Sequence, residues 1–366
     1  MHRLECVDAL EHCNKTQHSQ RKLLVVTTPN DVLSDSLHLK RTGRFILCAY
    51  KKRSNNYLNA LTKAIAFNAL PTCGGNCCDF TFTQNHLNRT KMRDLDLGFD
   101  LDEALERTKI SKADIELLRG RLPEDVPNNL TDKQLLLFLN ACGSIDEALK
   151  VIKIYYDARR NAPEHFNNRD PKHPKIKQCF ENQTYYHVPP TEKDDCPIVY
   201  HKIMNPKAST YFFDNALKTY CMTMDVALYK YGPRPGVIFV HDMENVGFTH
   251  ILRASISSIR KYLHYLQYGV PAKLCRVHVL NVVPLFDKIL TLVKPFLKKE
   301  LLEIIHVHPA NMNYEDFHRD WIPKSHMPVE YGGDLKSMKE LNESFYEEIL
   351  SLRDHFLAEE NQRDCI

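Results

Sequence analysis

The sequence predicts an α/β protein with an N-terminal helical domain, its second domain built on a largely parallel β-sheet. Two changes of texture along the chain predict it. From about residue 95 to the mid-160s apolar side chains recur at helical spacing, and from Pro197 onward short β-branched runs alternate with longer helical stretches. The short runs are apolar on both sides of the strand alternation, as strands buried on two faces require.

The helical domain is expected over residues 95–167. Leu101, Ala104 and Leu105 open the pattern, and Ser111 then stands as an N-cap before Ile115, Leu117 and Leu118. Pro123 and Pro127 stop that helix. Thr131 caps the next, which carries Leu135, Leu136, Phe138 and Leu139. Ser144 begins a third with Ala148, Leu149, Ile152, Tyr155 and Tyr156. A proline-rich polar connector, Asn168-Arg169-Asp170-Pro171-Lys172-His173-Pro174, leads into the second domain, expected over residues 168–345. Its strands are expected at 198–203, 237–241, 276–280 and 304–307. One helix, capped by Ser209 and ended by Gly232-Pro233, should join the first two strands. A second, continuous over 248–268, should join the next two. Residues 346–366 are read as a helix end and tail.

The segment 283–297 has an apolar face wider than one packed stripe needs. Its periodicity leaves two readings open, a core helix buried on two sides or a lid over an apolar ligand. Pro284 and Pro295 bound it at either end.

Residues 1–94 lack a long amphipathic pattern and are expected to be largely disordered. They carry 14 Lys and Arg against 7 Asp and Glu, so the net charge of +3 conceals a basic arm followed by a slightly acidic remainder. Such an arm reads as a solvated tail. No run approaches the ~20 apolar residues of a membrane span. Acidic residues stand near the start, where a signal peptide would hold its apolar core, and the twelve cysteines show no regular spacing. Both point to the cytosol and reduced thiols.

Five motifs, in order, resemble the CRAL-TRIO (Sec14-like) lipid-binding family. They are His241-Asp242-Met243-Glu244-Asn245-Val246-Gly247; His278-Val279-Leu280-Asn281-Val282-Val283-Pro284-Leu285-Phe286; Lys294-Pro295-Phe296-Leu297; His306-Val307-His308; and Met327-Pro328-Val329-Glu330-Tyr331-Gly332-Gly333. The branch they are most similar to holds α-tocopherol transfer protein and cellular retinaldehyde-binding protein, with many insect members. Phe138-Leu139-Asn140-Ala141-Cys142 and Tyr155-Tyr156-Asp157-Ala158-Arg159-Arg160 resemble that group's helical domain. The resemblance spans roughly residues 95–345, and residues 1–94 match nothing in it.

The resemblance implies a CRAL-TRIO fold, its sheet flooring an apolar pocket closed by a gate helix, and a carrier that is not an enzyme and needs no cofactor. Pocket walls are then expected at Phe212, Phe213, Tyr220, Ile238, Val240, Ile256, Ile259 and Val279. The gate falls on the same segment 283–297, with Phe286, Ile289, Leu290, Val293 and Phe296 facing inward, and the lid reading is preferred on that convergence. The implied cargo is a tocopherol, retinoid, carotenoid or phospholipid, moved between membranes by a monomer that docks peripherally on anionic surfaces and does not bind nucleic acid. Family members also hold phosphoinositide head groups, here assigned to Lys273, Arg276, Lys294, Lys298 and Lys299. Several family basic positions are lost, to Asn140, Cys142, Cys275, Glu300 and Ile304, which weakens or rebuilds that site. A phosphoinositide-responsive trafficking adaptor is the alternative.

No glycine-rich phosphate loop, Gly-x-Ser-x-Gly elbow or His-Glu-x-x-His helix is present, which argues against the common enzyme classes. His306 and His308 share one strand face and read as a hydrogen-bonded sheet pair, not metal ligands. Cys73, Cys77, Cys78 and His86 form a zinc-like set without supporting residues, and no metal is expected there.

Overall fold

The computed structural model describes residues 95–364. The expectations placed on residues 1–94, including disorder and the Cys73, Cys77, Cys78 and His86 set, lie outside the described residues.

Four helices open the described chain: α1 (Leu101–Thr108), α2 (Lys112–Arg119), α3 (Asp132–Cys142) and α4 (Ile145–Asn161). Each begins where a side chain satisfies an otherwise orphaned backbone donor. Ser111 and Thr131 form capping boxes with Asp114 and Gln134, and Ser144 accepts from the Glu147 amide. Gly143, at φ +72°, takes the left-handed turn that lets α4 fold back against α3. Leu135, Leu136, Ala148 and Ile152 are fully buried between them.

The short α5 (Pro163–Phe166) and α6 (Pro174–Asn182) lead to a five-stranded sheet, β1 (Gln183–Val188), β2 (Ile198–Ile203), β3 (Val237–Asp242), β4 (Leu274–Val282) and β5 (Ile305–Pro309). Spatial order equals chain order, with β1 antiparallel to β2 and every other pair parallel. β1 was not expected: Gln183, Thr184 and His187 give it a polar texture. Its burial comes from afar. The Asn342 side chain accepts the Tyr185 amide and donates to the Phe180 carbonyl, so α13 (Met338–Ser351) closes the edge of the sheet.

Parallel strands added always on one side, with right-handed crossovers, place every crossover on the same face. These are α7 (Phe213–Tyr231), then α8 (Phe248–Ile251) with α9 (Ile256–Tyr268), then α10 (Phe286–Val293) with α11 (Lys299–Glu303). The other face is covered by the chain after β5, including α12 (Tyr314–Asp320): Phe317 and Trp321 pack on His278, and Tyr200 donates to the His326 carbonyl. The last helix, α14 (Arg353–Arg363), returns to the N-terminal helices.

Two expected helices differ. Ser209 caps nothing; residues Ala208–Thr210 close a single 3-10 turn and α7 starts only at Phe213. The continuous helix expected over 248–268 is broken after Ile251, because Ser255 turns out to accept the Ser258 amide and begin a new helix.

A buried charge cluster ties the N-terminal helices to the sheet domain. Arg159 (α4), Arg169 (connector) and Arg363 (α14) surround Asp225 (α7) and Glu359 (α14). Arg159 lies 2.8 Å from Asp225 and 3.1 Å from Glu359. Arg169 reaches both carboxylates, and Arg363 donates to the Phe166 carbonyl at 2.7 Å. Both carboxyls are held below their usual range: burial opposes ionisation, and the adjacent guanidiniums outweigh it.

Candidate functional site

The register of the sheet divides its side chains into two sets. Lateral neighbours share a face, so Val199, Phe239, Val277 and Ile305 form one row toward the crossover helices, and His201, His241, Val279 and Val307 form the next. Tyr220 of α7 packs on this face, 5.1 Å from the Phe239 ring and 4.9 Å from His241. The opposite face carries Tyr200, Val240, His278 and His306. Ile238 and Val240 therefore point away from Tyr220 and Val279 and pack in the core beneath α12. The expected pocket set mixed two faces, because alternation along β3 cannot present residues 238 and 240 where 239 and 241 stand.

The crossover face is incompletely covered. β4 is an interior strand, yet on this face Cys275 and Val277 are only half-buried, and Val307 beside Val279 is 50% exposed. Apolar side chains gather at the carboxyl end of the sheet. Among the described residues nine large hydrophobics are exposed, and five of them, Met204, Phe212, Phe248, Leu252 and Ile256, follow β2 or β3 at the carboxyl side, while Val307 lies within β5. Ligands of open α/β sheets enter at that side. Leu252 is 68% exposed and Ile256 54%, so the expected wall residue Ile256 sits at the rim with Phe212, while Tyr220, Ile259 and Val279 are buried and Phe213 is half-buried.

α10 carries Phe286, Ile289, Leu290 and Val293, all half-buried and none buried outright, as are Phe296 and Leu297 beyond it. A packed core helix would bury one stripe fully. The segment is anchored at its ends. Asn281, at φ +50°, turns the chain out of β4 while its amide donates to Asp242 at 2.9 Å. At the far end, where Lys294–Phe296 forms a 3-10 turn around Pro295, the Gln267 amide of α9 donates to the Phe296 carbonyl at 2.8 Å and accepts the Lys298 amide at 2.6 Å.

Polar groups on the crossover face are few and neutral. Burial and then the neighbouring His241 push the His201 imidazole down to about 3, and burial pushes His241 to about 4. His201 hydrogen-bonds Gln183 at 3.0 Å. The Tyr220 hydroxyl is buried without a hydrogen-bond partner, an unmet donor among apolar neighbours that sequence reasoning could not have singled out.

Of the expected head-group residues, Lys273, Lys294, Lys298 and Lys299 are exposed; Lys298 lies over the Tyr268 ring at 3.8 Å and Lys299 pairs with Glu303. Arg276 is committed elsewhere, since its half-buried guanidinium pairs with Asp194. His306 and His308 do share a face, with His308 3.1 Å from His278 and the His306 ring tilted against Trp321 at 4.3 Å. No group of three or more His, Cys, Asp or Glu suited to a metal ion occurs among the described residues, and none of their helices is long and apolar enough to cross a membrane.

Residues 181–333 match the CRAL/TRIO domain model, and the fold described here is the CRAL-TRIO fold. Human alpha-tocopherol transfer protein-like is 27% identical over 237 residues, covering 63% of this chain and 68% of the relative; the mouse protein is 24% identical over the same length. Clavesin-1 of Xenopus laevis is 30% identical over 102 residues, 27% of this chain and 29% of its own. Among solved structures, Sfh5 is 12% identical with a TM-score of 0.42, covering 67% of this chain and 92% of that one.

Proposed function

We propose that this chain binds a hydrophobic small molecule between the crossover face of its sheet and α10, and carries it between membranes without catalysis. The observation that carries the reading is an interior sheet face left part-covered beneath a helix whose apolar residues are all half-buried. A tocopherol, retinoid, carotenoid or phospholipid would suit it, and the alpha-tocopherol transfer protein-like relatives favour an isoprenoid. Burying ~300 to 400 Å² of such a ligand at ~25 cal/mol per Å² contributes about 8 to 10 kcal/mol before association costs. Tyr220 and His241 offer hydrogen bonds to one polar group on an otherwise apolar cargo.

Release follows from solvent exchange. In water, opening α10 exposes Phe286, Leu290 and Phe296; against a bilayer the same face meets lipid, so opening costs less there. The exposed Lys294, Lys298 and Lys299 beside it would hold the opened face to an anionic surface. With Arg276 engaged by Asp194, attraction to phosphoinositide vesicles should be weak and lost at high salt. Native mass spectrometry of protein purified from its own source, followed by organic extraction, is the direct test. A stoichiometric apolar adduct is expected; protein that arrives empty and takes up no polyene or retinoid probe would overturn the reading.

A further inference from the structure

Two cysteines distant in sequence meet where β2 and β4 begin. Cys196 immediately precedes Pro197 and β2, Cys275 is the second residue of β4, and their Sγ atoms lie 3.1 Å apart as free thiols. Cys196 is buried and Cys275 half-buried, so Cys275 is the more accessible residue of the pair. The strand between them makes way. A Cβ on Gly236 would fall 2.4 Å from the Cys275 sulfur and 2.5 Å from the Lys273 carbonyl, and the Gly236 amide donates to Cys196. A cavity of about 10 Å³, room for one water, is lined by Pro197, the residue after Cys196, and by Gly236 and Val237.

The two thiols are unequal. The contact with Cys196 holds the Cys275 thiol below its ordinary range against burial, with Arg276 and Lys273 drawing it lower and Asp194 opposing them. The same contact, and then burial, push Cys196 up. The contact 3.1 Å long favours thiolate character on Cys275, the less buried residue of the pair.

We propose that Cys196 and Cys275 form a redox-active pair that a small hydroperoxide converts into a disulfide. The Cys275 thiolate attacks the nearer peroxide oxygen, the O–O bond breaks, and the leaving oxygen departs as water or alcohol after taking a proton. Cys275 is now a sulfenic acid. The Cys196 sulfur then attacks the Cys275 sulfur, the S–O bond breaks, and hydroxide leaves as water with the Cys196 proton. Two electrons pass from the two sulfurs to the peroxide, and the Sγ atoms close from 3.1 Å to a bonded ~2.0 Å. The bond would link the starts of β2 and β4 across β3, joining residues 79 apart in sequence and stiffening the floor of the proposed site.

The full chain carries twelve cysteines, so the test must be position-resolved. Reduced protein is treated with stoichiometric hydrogen peroxide, alkylated and digested without reductant for mass spectrometry. A dominant peptide linked through Cys196 and Cys275 is expected, with a dithiothreitol-reversible rise in Tm of about 5 °C or more. Cys196→Ser should accumulate Cys275 as a dimedone-trapped sulfenic acid, and Cys275→Ser should trap nothing at Cys196. Because the wild-type digest needs no variant to fold, a digest in which these two peptides stay unlinked, or link no more than other cysteines do, overturns the proposal.

Discussion

At the scale of single residues, the most consequential feature is the number of imidazoles kept neutral by burial. His278 is pushed to about 2, His201 to about 3, and His241 and His308 to about 4, burial being the first cause in each. In the unfolded chain each would titrate near 6.5. Between those values the unfolded state binds more protons, so acidification favours unfolding: stability is insensitive to these groups above pH ~6.5 and falls as pH drops below it. Urea denaturation at pH 7.5 and 5.5 should show a total loss of at least about 1.4 kcal/mol, one histidine's worth, and an unchanged midpoint would mean the rings are solvated. Tyr220 yields a second test. Tyr220→Phe removes a buried hydroxyl without a partner, so stability should hold or rise by about 1 kcal/mol, while affinity for a hydroxyl-bearing polyene should drop about fivefold relative to its hydrocarbon analogue. Equal affinities would remove Tyr220 from the site. Caps such as Ser111 and Thr131 were legible because their chemistry is local; the isolation of the Tyr220 hydroxyl was not, because it depends on what every neighbouring element fails to provide.

At the scale of elements, α10 was legible and β1 was not, for opposite reasons. The apolar surplus of 283–297 is written in its own residues, whereas β1 is polar in sequence and is buried by α13, some 160 positions later. The pocket list failed at Ile238 and Val240 because apolarity says a strand is buried but not which neighbour each side chain meets. Replacing Phe286 and Leu290 together by Asp would place two charges on the face of α10 that closes over the sheet, where desolvating them costs several kcal/mol. The double variant should retain its circular dichroism and lose at least tenfold in affinity for a retinoid or polyene probe, about 1.4 kcal/mol. Unfolding would instead mark α10 as a core helix, and unaltered binding would place the ligand elsewhere.

At the scale of the whole molecule, the Arg159, Arg169, Arg363, Asp225 and Glu359 cluster joins α4, the connector, α7 and α14. Three cations face two carboxylates in the interior, so removing one negative charge leaves guanidinium charge unanswered. Asp225→Asn should cost about 3 to 5 kcal/mol in chemical denaturation, with the N-terminal helices losing hydrogen-exchange protection first. A cost under 1 kcal/mol would show that the cluster is solvated. Nothing in the sequence assembles these five residues, which come from four separated segments.

The matching of strand order to chain order also governs how the protein is made. As the chain leaves the ribosome, each strand from β2 onward finds its partner already synthesised, and α7 and α9 are in hand to cover one side. The other side has no cover until α12 and the residues through Tyr331 emerge. A nascent chain paused just after β5 therefore displays Tyr200, Ile238, Val240 and His278 as an open apolar plane, the kind of surface that recruits chaperones or aggregates. Truncations ending between residues 310 and 330 should be captured by holdases during translation, and the segment that follows β5 acts, in biogenesis, as the part that makes the rest safe to release.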